Sequence, residues 1–238
     1  MSNIADDLIK HLDKTTKDLL QATASENGFV CYEIEDDEQS IKWKGFYGTV
    51  SGVILTCNDK KDKKEILNVV IKSASKSDDL RTQIILNEMY TRESYIYDVV
   101  FRAFEQFEVN KKFKPTSFAP KFYKSNLEYK NEIIVLENLA SSNYKMYPAT
   151  KAMDAKHDLT DPNKPTSVRL IDFQRTGFGL PVMDVAIFLY TCSEKKVIEE
   201  LEDYLRLYYN SLAAHLVKLG SNPDKVYPYS IFFETVER

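Results

Sequence analysis

The chain has 238 residues, with 32 Lys and Arg against 36 Asp and Glu, so its formal net charge at pH 7 is −4. Because the basic residues are dispersed along an acidic chain, nucleic acid is excluded as the main partner. No uninterrupted apolar run is long enough to span a bilayer, and the N-terminus lacks the apolar core of a secretion signal. Three widely spaced cysteines without a CxxC pair favour reduced thiols, and we expect a cytoplasmic protein without membrane partners.

The first elements are a helix and a hairpin. Apolar residues at helical spacing predict an amphipathic helix over residues 4–12, and residues 50–56 and 66–72 predict two strands joined by a lysine-rich turn. Gly45 and Gly48 precede the first strand, and Lys72 ends the second. Glycine backbone N–H groups and a strand-end lysine can meet one phosphate. A plain glycine turn with a solvated lysine explains the same residues, so the choice depends on an acidic partner for Lys72.

A helical period follows the hairpin. Apolar residues recur at helical spacing between residues 78 and 108: Ile84, Ile85, Met89, Ile96, Val99, Val100, Ala103 and Phe104. Glu93 lies beside the aromatic stripe of this helix, where an acid needs either solvent or a cation. We predict that it pairs with Lys72. Glu88 is the competing acid, and a solvated helix face is the third interpretation.

The second half supplies more strands and helices. Residues 122–124 and 133–136 predict two strands, followed by Glu137, Asn138 and Leu139. A further strand over 168–171 ends at Asp172, a position from which carboxylates commonly hold a metal. Apolar residues 182–190 follow, and a helix through 197–216 is closed by Gly220.

Four motifs in this order resemble those of the insect ecdysteroid kinase-like family, which is related to choline kinases and aminoglycoside phosphotransferases. They are VVIK at 69–72, YTRE at 90–93, ENL at 137–139 and IDFQ at 171–174. The resemblance implies an α+β, bilobal protein-kinase-like fold with an antiparallel N-lobe sheet. Residues 1–139 would form the nucleotide-binding lobe, and residues 140–238 the remnant of a truncated helical C-terminal lobe.

The resemblance also implies ATP and Mg²⁺ as cofactors. Lys72 would hold nucleotide phosphates, Glu93 would orient Lys72, Asp172 would carry Mg²⁺, and Asp184 would brace the catalytic loop as structural support. The residues covering the phosphates would be Gly45, Phe46, Tyr47, Gly48 and Thr49. Those meeting the adenine through backbone groups would be Glu137, Asn138 and Leu139.

The chain departs from the family at the catalytic loop, HGDxxxxN, which is absent from the sequence. Asp158 and Asn163 have the spacing of the family's Asp and Asn, which makes Asp158 the one candidate for a catalytic base. We reject it, because the loop must be followed by a strand that pairs with residues 168–173, and 164–167 leaves no room. The chain therefore reads as a family member from which exon skipping or a faulty gene model removed an internal block.

The family function is ATP-dependent phosphorylation of a small-molecule alcohol such as an ecdysteroid, and we expect this truncated chain to be inactive. The alternative is a non-catalytic pseudokinase fragment that binds nucleotide or a protein partner, or a product with no function of its own. Removing core helices would expose apolar faces at 182–189 and 197–216. Self-association through these C-lobe helices is the expected result.

Overall fold

A computed structural model describes residues 12–29, 31–37, 43–44, 47–58, 64–144, 167–179, 182–193 and 195–237. The contacts divide the chain into two compact units. The first unit is Met1–Lys145 with Arg169–Thr176, and the second is Met146–Val168 with Gly177–Arg238. The predicted helix over 4–12 lies outside the described residues except for Leu12, which is not helical.

The first unit is built on a six-stranded antiparallel sheet with the order β1-β3-β4-β6-β5, in which β2 also pairs with β3. Val50 lies opposite Lys72, and Lys72 lies opposite Ile134. The predicted sheet of the hairpin, residues 69–72 and residues 133–136 is therefore confirmed. The strands are β1 Glu33–Asp36, β2 Trp43–Lys44, β3 Gly48–Asn58, β4 Lys64–Ala74, β5 Phe122–Asn126 and β6 Ile133–Glu137.

Both faces of the sheet are covered. β6 runs between two neighbouring strands, and its apolar run Ile133–Leu136 is buried throughout. Helix α1, Lys14–Glu26, packs Leu20 and Ala24 into the core that includes Val135. Asp13 caps α1 by accepting a hydrogen bond of 2.9 Å from the backbone of Thr16. Ile134 lies in a second cluster, on the side of the sheet that carries the next helices.

The predicted helix over 78–108 is interrupted in the structure. It consists of α2 Asp78–Gln83, α3 Leu86–Tyr95, a π-helical turn Ile96–Val100 and α4 Phe101–Asn110. Between α2 and α3, Ile84 is extended, with φ −137° and ψ 135°. This break lets α2 remain tied to the ends of β4 and β6 through Arg81, while α3 turns Leu86 into the core.

Residues 168–171 do not form the predicted strand. Val168, Leu170 and Ile171 are exposed. A strand needs a neighbour to satisfy its backbone groups, and no strand in the described part of the chain pairs with this segment. The Leu170 N–H donates to the carbonyl of Phe118 at 2.7 Å, and the Arg169 Nε donates to the Tyr144 hydroxyl at 3.1 Å.

The second unit is helical around a core that includes Val182, Leu205, Tyr209 and Phe232. The predicted helix through 197–216 is divided near Glu200, and Gly220 follows its end with φ 85°. Its helices are α5 Val182–Cys192, α6 Lys195–Glu199, α7 Leu201–Lys218, α8 Pro223–Val226 and α9 Tyr229–Glu237. Exposed apolar side chains on these helices include Met183, Ile187, Leu207 and Val217. Among the residues that the structure describes, no helix has the length and apolarity needed to cross a membrane.

The first unit's sheet and the helices of both units make the protein α+β, as the sequence predicts.

Candidate functional site

Lys72 and Glu93 form an ion pair, as the sequence predicts. Lys72 lies near the end of β4, and its Nζ donates to the Glu93 Oε2 at 2.7 Å. The Glu93 side chain is only 1% exposed and that of Lys72 15% exposed. Glu88, the competing acid, is exposed. A carboxylate this deeply buried needs a cation, and Lys72 supplies it.

Asp172 joins the same amine. Its Oδ1 accepts from the Lys72 Nζ at 2.6 Å, and its side chain is 53% exposed. Asp172 has a left-handed backbone, with φ 73° and ψ 59°, immediately before a 3₁₀ turn over Phe173–Arg175. Phe173 anchors this turn, since its ring packs edge-on against Tyr97 at 5.3 Å and Phe101 at 4.9 Å between ring centroids. The aromatic stripe on the helix thereby fixes the position of the carboxylate.

Gln174 is a site residue to which the sequence analysis assigns no role. It is 4% exposed, and its Oε1 accepts from the Lys72 Nζ at 3.1 Å. Its Nε2 donates to the Asp172 Oδ2 at 3.2 Å. The motif IDFQ contains Gln174, but only the turn after Asp172 shows that this side chain points inward.

Burial and charge oppose each other at Glu93. Burial raises the pKa of Glu93 above its usual value, and the positive charge and hydrogen bond of Lys72 act in the opposite direction. The Phe173 backbone N–H also bonds the Glu93 carboxylate and favours its charged form. Burial raises the pKa of Tyr90 and Tyr97, so these neighbouring phenols stay neutral. Lys72 lies 5.8 Å from the centre of the Tyr90 ring.

The glycine segment is described in part. Gly45 and Phe46 lie outside the described residues, whereas Gly48 and Thr49 begin β3. Tyr47 reaches the turn that carries Asp172, because its hydroxyl accepts a 2.6 Å hydrogen bond from the Arg175 Nη2. Tyr47, one residue of the segment predicted to cover a phosphate, is therefore tied to the turn that follows Asp172.

Gly48 makes a close backbone approach that excludes a side chain. A Cβ there would overlap the Ser73 carbonyl oxygen on β4, whereas a Cβ at Gly177 meets nothing within 4 Å. We expect Gly48→Ala to lower the free energy of unfolding by about 1–3 kcal/mol, because the strand ends must separate. Chemical denaturation followed by circular dichroism, which reports on the helices and strands of both units, measures this. Trp43 fluorescence adds a probe of the first unit, since Trp43 is the single tryptophan and pairs with Val50. Gly177→Ala is the control, and equal effects of the two variants would contradict the prediction.

Glu137 is the last residue of β6, and residues 138 and 139 follow it. The Glu137 carboxylate accepts from the Lys121 N–H at 3.0 Å. Asn138 is buried, and its backbone N–H donates to the Asn68 carbonyl at 3.1 Å. Its carbonyl accepts from the Ser141 hydroxyl at 2.6 Å. Both backbone groups of Asn138 are thus used within the protein, so an adenine contact there would have to share or replace a bond.

Asp172 can serve as one ligand of a magnesium ion. In the described part of the chain, no group of three or more His, Cys, Asp or Glu could hold a metal. Mg²⁺ in phosphoryl-transfer sites is bound by one or two carboxylates together with phosphates and waters, so a half-exposed Asp172 fits this kind of site. Asp184 lies in the first turn of α5, in the second unit. Asp158, the rejected base, lies outside the described residues.

A second ion pair, between Arg81 and Glu132, was not predicted from the sequence. The Arg81 Nη1 and Nη2 donate to the two Glu132 oxygens at 2.9 and 2.6 Å, and both side chains are buried. The Arg81 Nε donates to the Ser75 carbonyl at 2.8 Å, and the Asn87 side chain donates to Glu132 at 3.3 Å. This network joins α2 and α3 to the ends of β4 and β6. It thereby positions α3, the helix that carries Glu93.

Comparison with known proteins gives one family. A model of the ecdysteroid kinase-like family matches the chain in two segments, residues 42–159 and 155–221. A search of curated proteins found no match. The matched residues cover most of the chain and include Lys72, Glu93 and Asp172. The chain therefore belongs to the ecdysteroid kinase-like family.

Proposed function

We propose that the first unit binds ATP with Mg²⁺ at Lys72 and Asp172, and that this chain does not transfer the phosphoryl group. The family indicates a kinase-like phosphotransferase. The observation that carries the proposal is the convergence of Glu93 and Asp172 on the Lys72 amine, at 2.7 and 2.6 Å.

The two carboxylates have different environments, which supports different roles. Glu93 is 1% exposed and bonded to the Phe173 backbone, so it stays with Lys72 and fixes the direction of the amine. Asp172 is 53% exposed and can leave Lys72 when a ligand arrives. A triphosphate would then take the place of Asp172 on Lys72.

A magnesium ion bound by Asp172 and the phosphates would neutralise charge on the triphosphate. In this proposal Lys72 bonds the phosphates, the glycine segment at Tyr47 and Gly48 covers them, and the end of β6 receives the adenine. The hydrogen bond between Arg175 and Tyr47 supports this arrangement, because it ties Tyr47 to the turn that follows Asp172.

The absence of phosphoryl transfer follows from the missing base. No His-Gly-Asp triplet occurs in the chain. The two segments of the family match meet at residues 155–159, where the sequence predicts the missing block. Among the described residues no strand pairs with 168–171. This observation also supports the proposal, because the expected partner of 168–171 is the strand that follows the catalytic loop. These observations favour a non-catalytic, pseudokinase-like chain that retains nucleotide affinity over an active kinase.

The nucleotide proposal is tested by Lys72→Met against Lys64→Met. Both lysines lie on β4, but Lys64 is exposed and 3.7 Å from Glu35. We expect Lys72→Met to weaken ATP binding in Mg²⁺ by about tenfold or more, because a charged hydrogen bond is lost, and Lys64→Met to leave it unchanged. Calorimetry or a fluorescent ATP analogue measures the Kd.

Lys72→Met leaves Glu93 buried without its cation, so Trp43 fluorescence must show that the variant is folded. Asp172→Asn is the second variant, because its half-exposed side chain can change without a buried charge being left alone. It is expected to weaken binding in Mg²⁺ but not binding in EDTA, because without the metal Asp172 only competes with the phosphates for Lys72. Equal losses in Lys72→Met and Lys64→Met, or no ATP binding by the unchanged chain, would refute the proposal.

A further inference from the structure

We propose that Gln174 is a positioning residue that bridges Lys72 and Asp172 and so sets the magnesium dependence of nucleotide binding. The inference rests on the proposed function. Gln174 contacts both groups through opposite ends of one amide, with Oε1 3.1 Å from the Lys72 Nζ and Nε2 3.2 Å from the Asp172 Oδ2.

The chemistry of the two neighbours fixes the orientation of this amide. A lysine ammonium has only donors, so it requires the carbonyl end of Gln174. A carboxylate has only acceptors, so it requires the NH₂ end. With the amide turned around, donor would face donor and acceptor would face acceptor. A methionine at position 174 would offer neither hydrogen bond, and a glutamate would lack the donor for Asp172.

The hydrogen bond from Gln174 helps to hold the Asp172 carboxylate in one orientation although this side chain is half-exposed. The Lys72 Nζ and the Gln174 Nε2 each bond a different oxygen of the Asp172 carboxylate, and together they restrict its rotation. Gln174 itself is 4% exposed on the turn that Phe173 anchors. When a nucleotide replaces Asp172 on Lys72, the bond from Gln174 remains to aim the carboxylate. Removing a hydrogen-bond partner of a metal ligand typically weakens metal affinity about 10- to 100-fold.

The first experiment measures the Kd of ATP with Mg²⁺ and with EDTA. The ratio of interest is the Kd in EDTA divided by the Kd in Mg²⁺, which expresses how much the metal strengthens binding. We expect Gln174→Met to reduce this ratio about tenfold, because Asp172 loses its orientation. If Gln174 only stabilised the fold, Gln174→Met would weaken ATP binding equally with Mg²⁺ and with EDTA. Gln106→Met is the matched control, since Gln106 bonds Asn110 on the exposed surface of α4.

A double-mutant cycle shows whether Gln174 acts through Asp172. In the Asp172→Asn background, Gln174→Met is expected to change the ratio of Kd values by less than about twofold, because the group that it positions is already altered. An equal reduction in both backgrounds would overturn the inference.

The second experiment needs no nucleotide. The side-chain NH₂ signal of Gln174 in ¹⁵N–¹H spectra is assigned by its loss in Gln174→Met. We expect it to shift and to exchange faster with water in Asp172→Asn, but to stay unchanged in Asp98→Asn, whose carboxylate pairs with Arg102. An unchanged signal in Asp172→Asn refutes the bridge.

The two experiments separate the inference from the proposed function. If the unchanged chain binds no ATP but the Gln174 signal responds to Asp172→Asn, the nucleotide function fails and the bridge itself stands. If ATP binds and Gln174→Met leaves the ratio of Kd values unchanged, the function stands and the inference fails.

Discussion

Purified chain incubated with labelled ATP and Mg²⁺ is expected to show no phosphorylation of ecdysteroids, choline-like alcohols or aminoglycosides above the buffer rate. Phosphoryl transfer depends mainly on positioning and charge neutralisation, and a positioned residue must also accept the hydroxyl proton. Losing that base alone costs roughly 10²- to 10⁴-fold in rate. The block predicted to be missing would also carry much of the acceptor's pocket, so no hydroxyl would be aligned with the nucleotide.

Product formation is followed by chromatography of the labelled products. Asp172→Asn is the control, because turnover by a contaminating kinase would persist in that variant. Turnover that disappears in Asp172→Asn would contradict the prediction. It would also make Asp158 the catalytic base, against the reasoning from the missing strand.

Breaking the buried pair between Arg81 and Glu132 is expected to have the largest effect on stability. Arg81→Met leaves the Glu132 carboxylate buried without its guanidinium, which costs about 3–5 kcal/mol of unfolding free energy. The double variant Arg81→Met with Glu132→Leu is expected to be more stable than Arg81→Met, because the uncompensated charge is gone.

Denaturant unfolding followed by Trp43 fluorescence measures these differences in the first unit. Lys64→Met, which removes an exposed pair with Glu35 at 3.7 Å, is the control and should change the unfolding free energy by less than about 1 kcal/mol. If Lys64→Met and Arg81→Met lowered the free energy of unfolding by similar amounts, the buried network would stabilise the protein no more than an exposed ion pair does.

The same network predicts a pH dependence. Burial raises the pKa of Glu132. The hydrogen bonds and charge of Arg81, together with hydrogen bonds from the Glu132 backbone N–H and from Asn87, outweigh burial and place this pKa below its usual value of 4.5. A lowered folded-state pKa means that the stabilisation is complete above the unfolded pKa and is lost as the pH falls through the folded one. We therefore expect the unfolding free energy to decrease below about pH 4.5, and to decrease less in the double variant. An equal pH dependence in both proteins would exclude Glu132 as the cause.

The sequence alone determined strands β3 to β6 and the charged pair of Lys72 and Glu93, whereas β1 and β2 were not predicted from it. The alternating and apolar runs around Val69 and Ile134 specify strands, since those residues bury against both faces. The lysine at the end of VVIK required an acid, and Glu93 lies on the aromatic face of the following helix, whereas Glu88 is exposed. Strand pairing and charge satisfaction leave few alternatives, so both predictions were confirmed.

The segment before Asp172 was predicted wrongly for a physical reason. Val168 and Ile171 have the composition of a strand, but a strand exists only when a neighbour accepts its backbone hydrogen bonds. Local sequence does not reveal whether that neighbour is present. The break at Ile84 has a similar origin, because tertiary bonds of Arg81 override the helical period.

Only the tertiary structure decided that Asp172 and Gln174 join Glu93 at the Lys72 amine. Gln174 and Asp172 lie about 100 residues beyond Lys72 in the sequence, and Glu132 lies 51 residues beyond Arg81. No periodicity records such distant pairs. Asp172 and Gln174 reach Lys72 because the left-handed backbone of Asp172 and the packing of Phe173 turn residues 172–174 toward it. There the buried Gln174 satisfies its amide by bonding both Lys72 and Asp172.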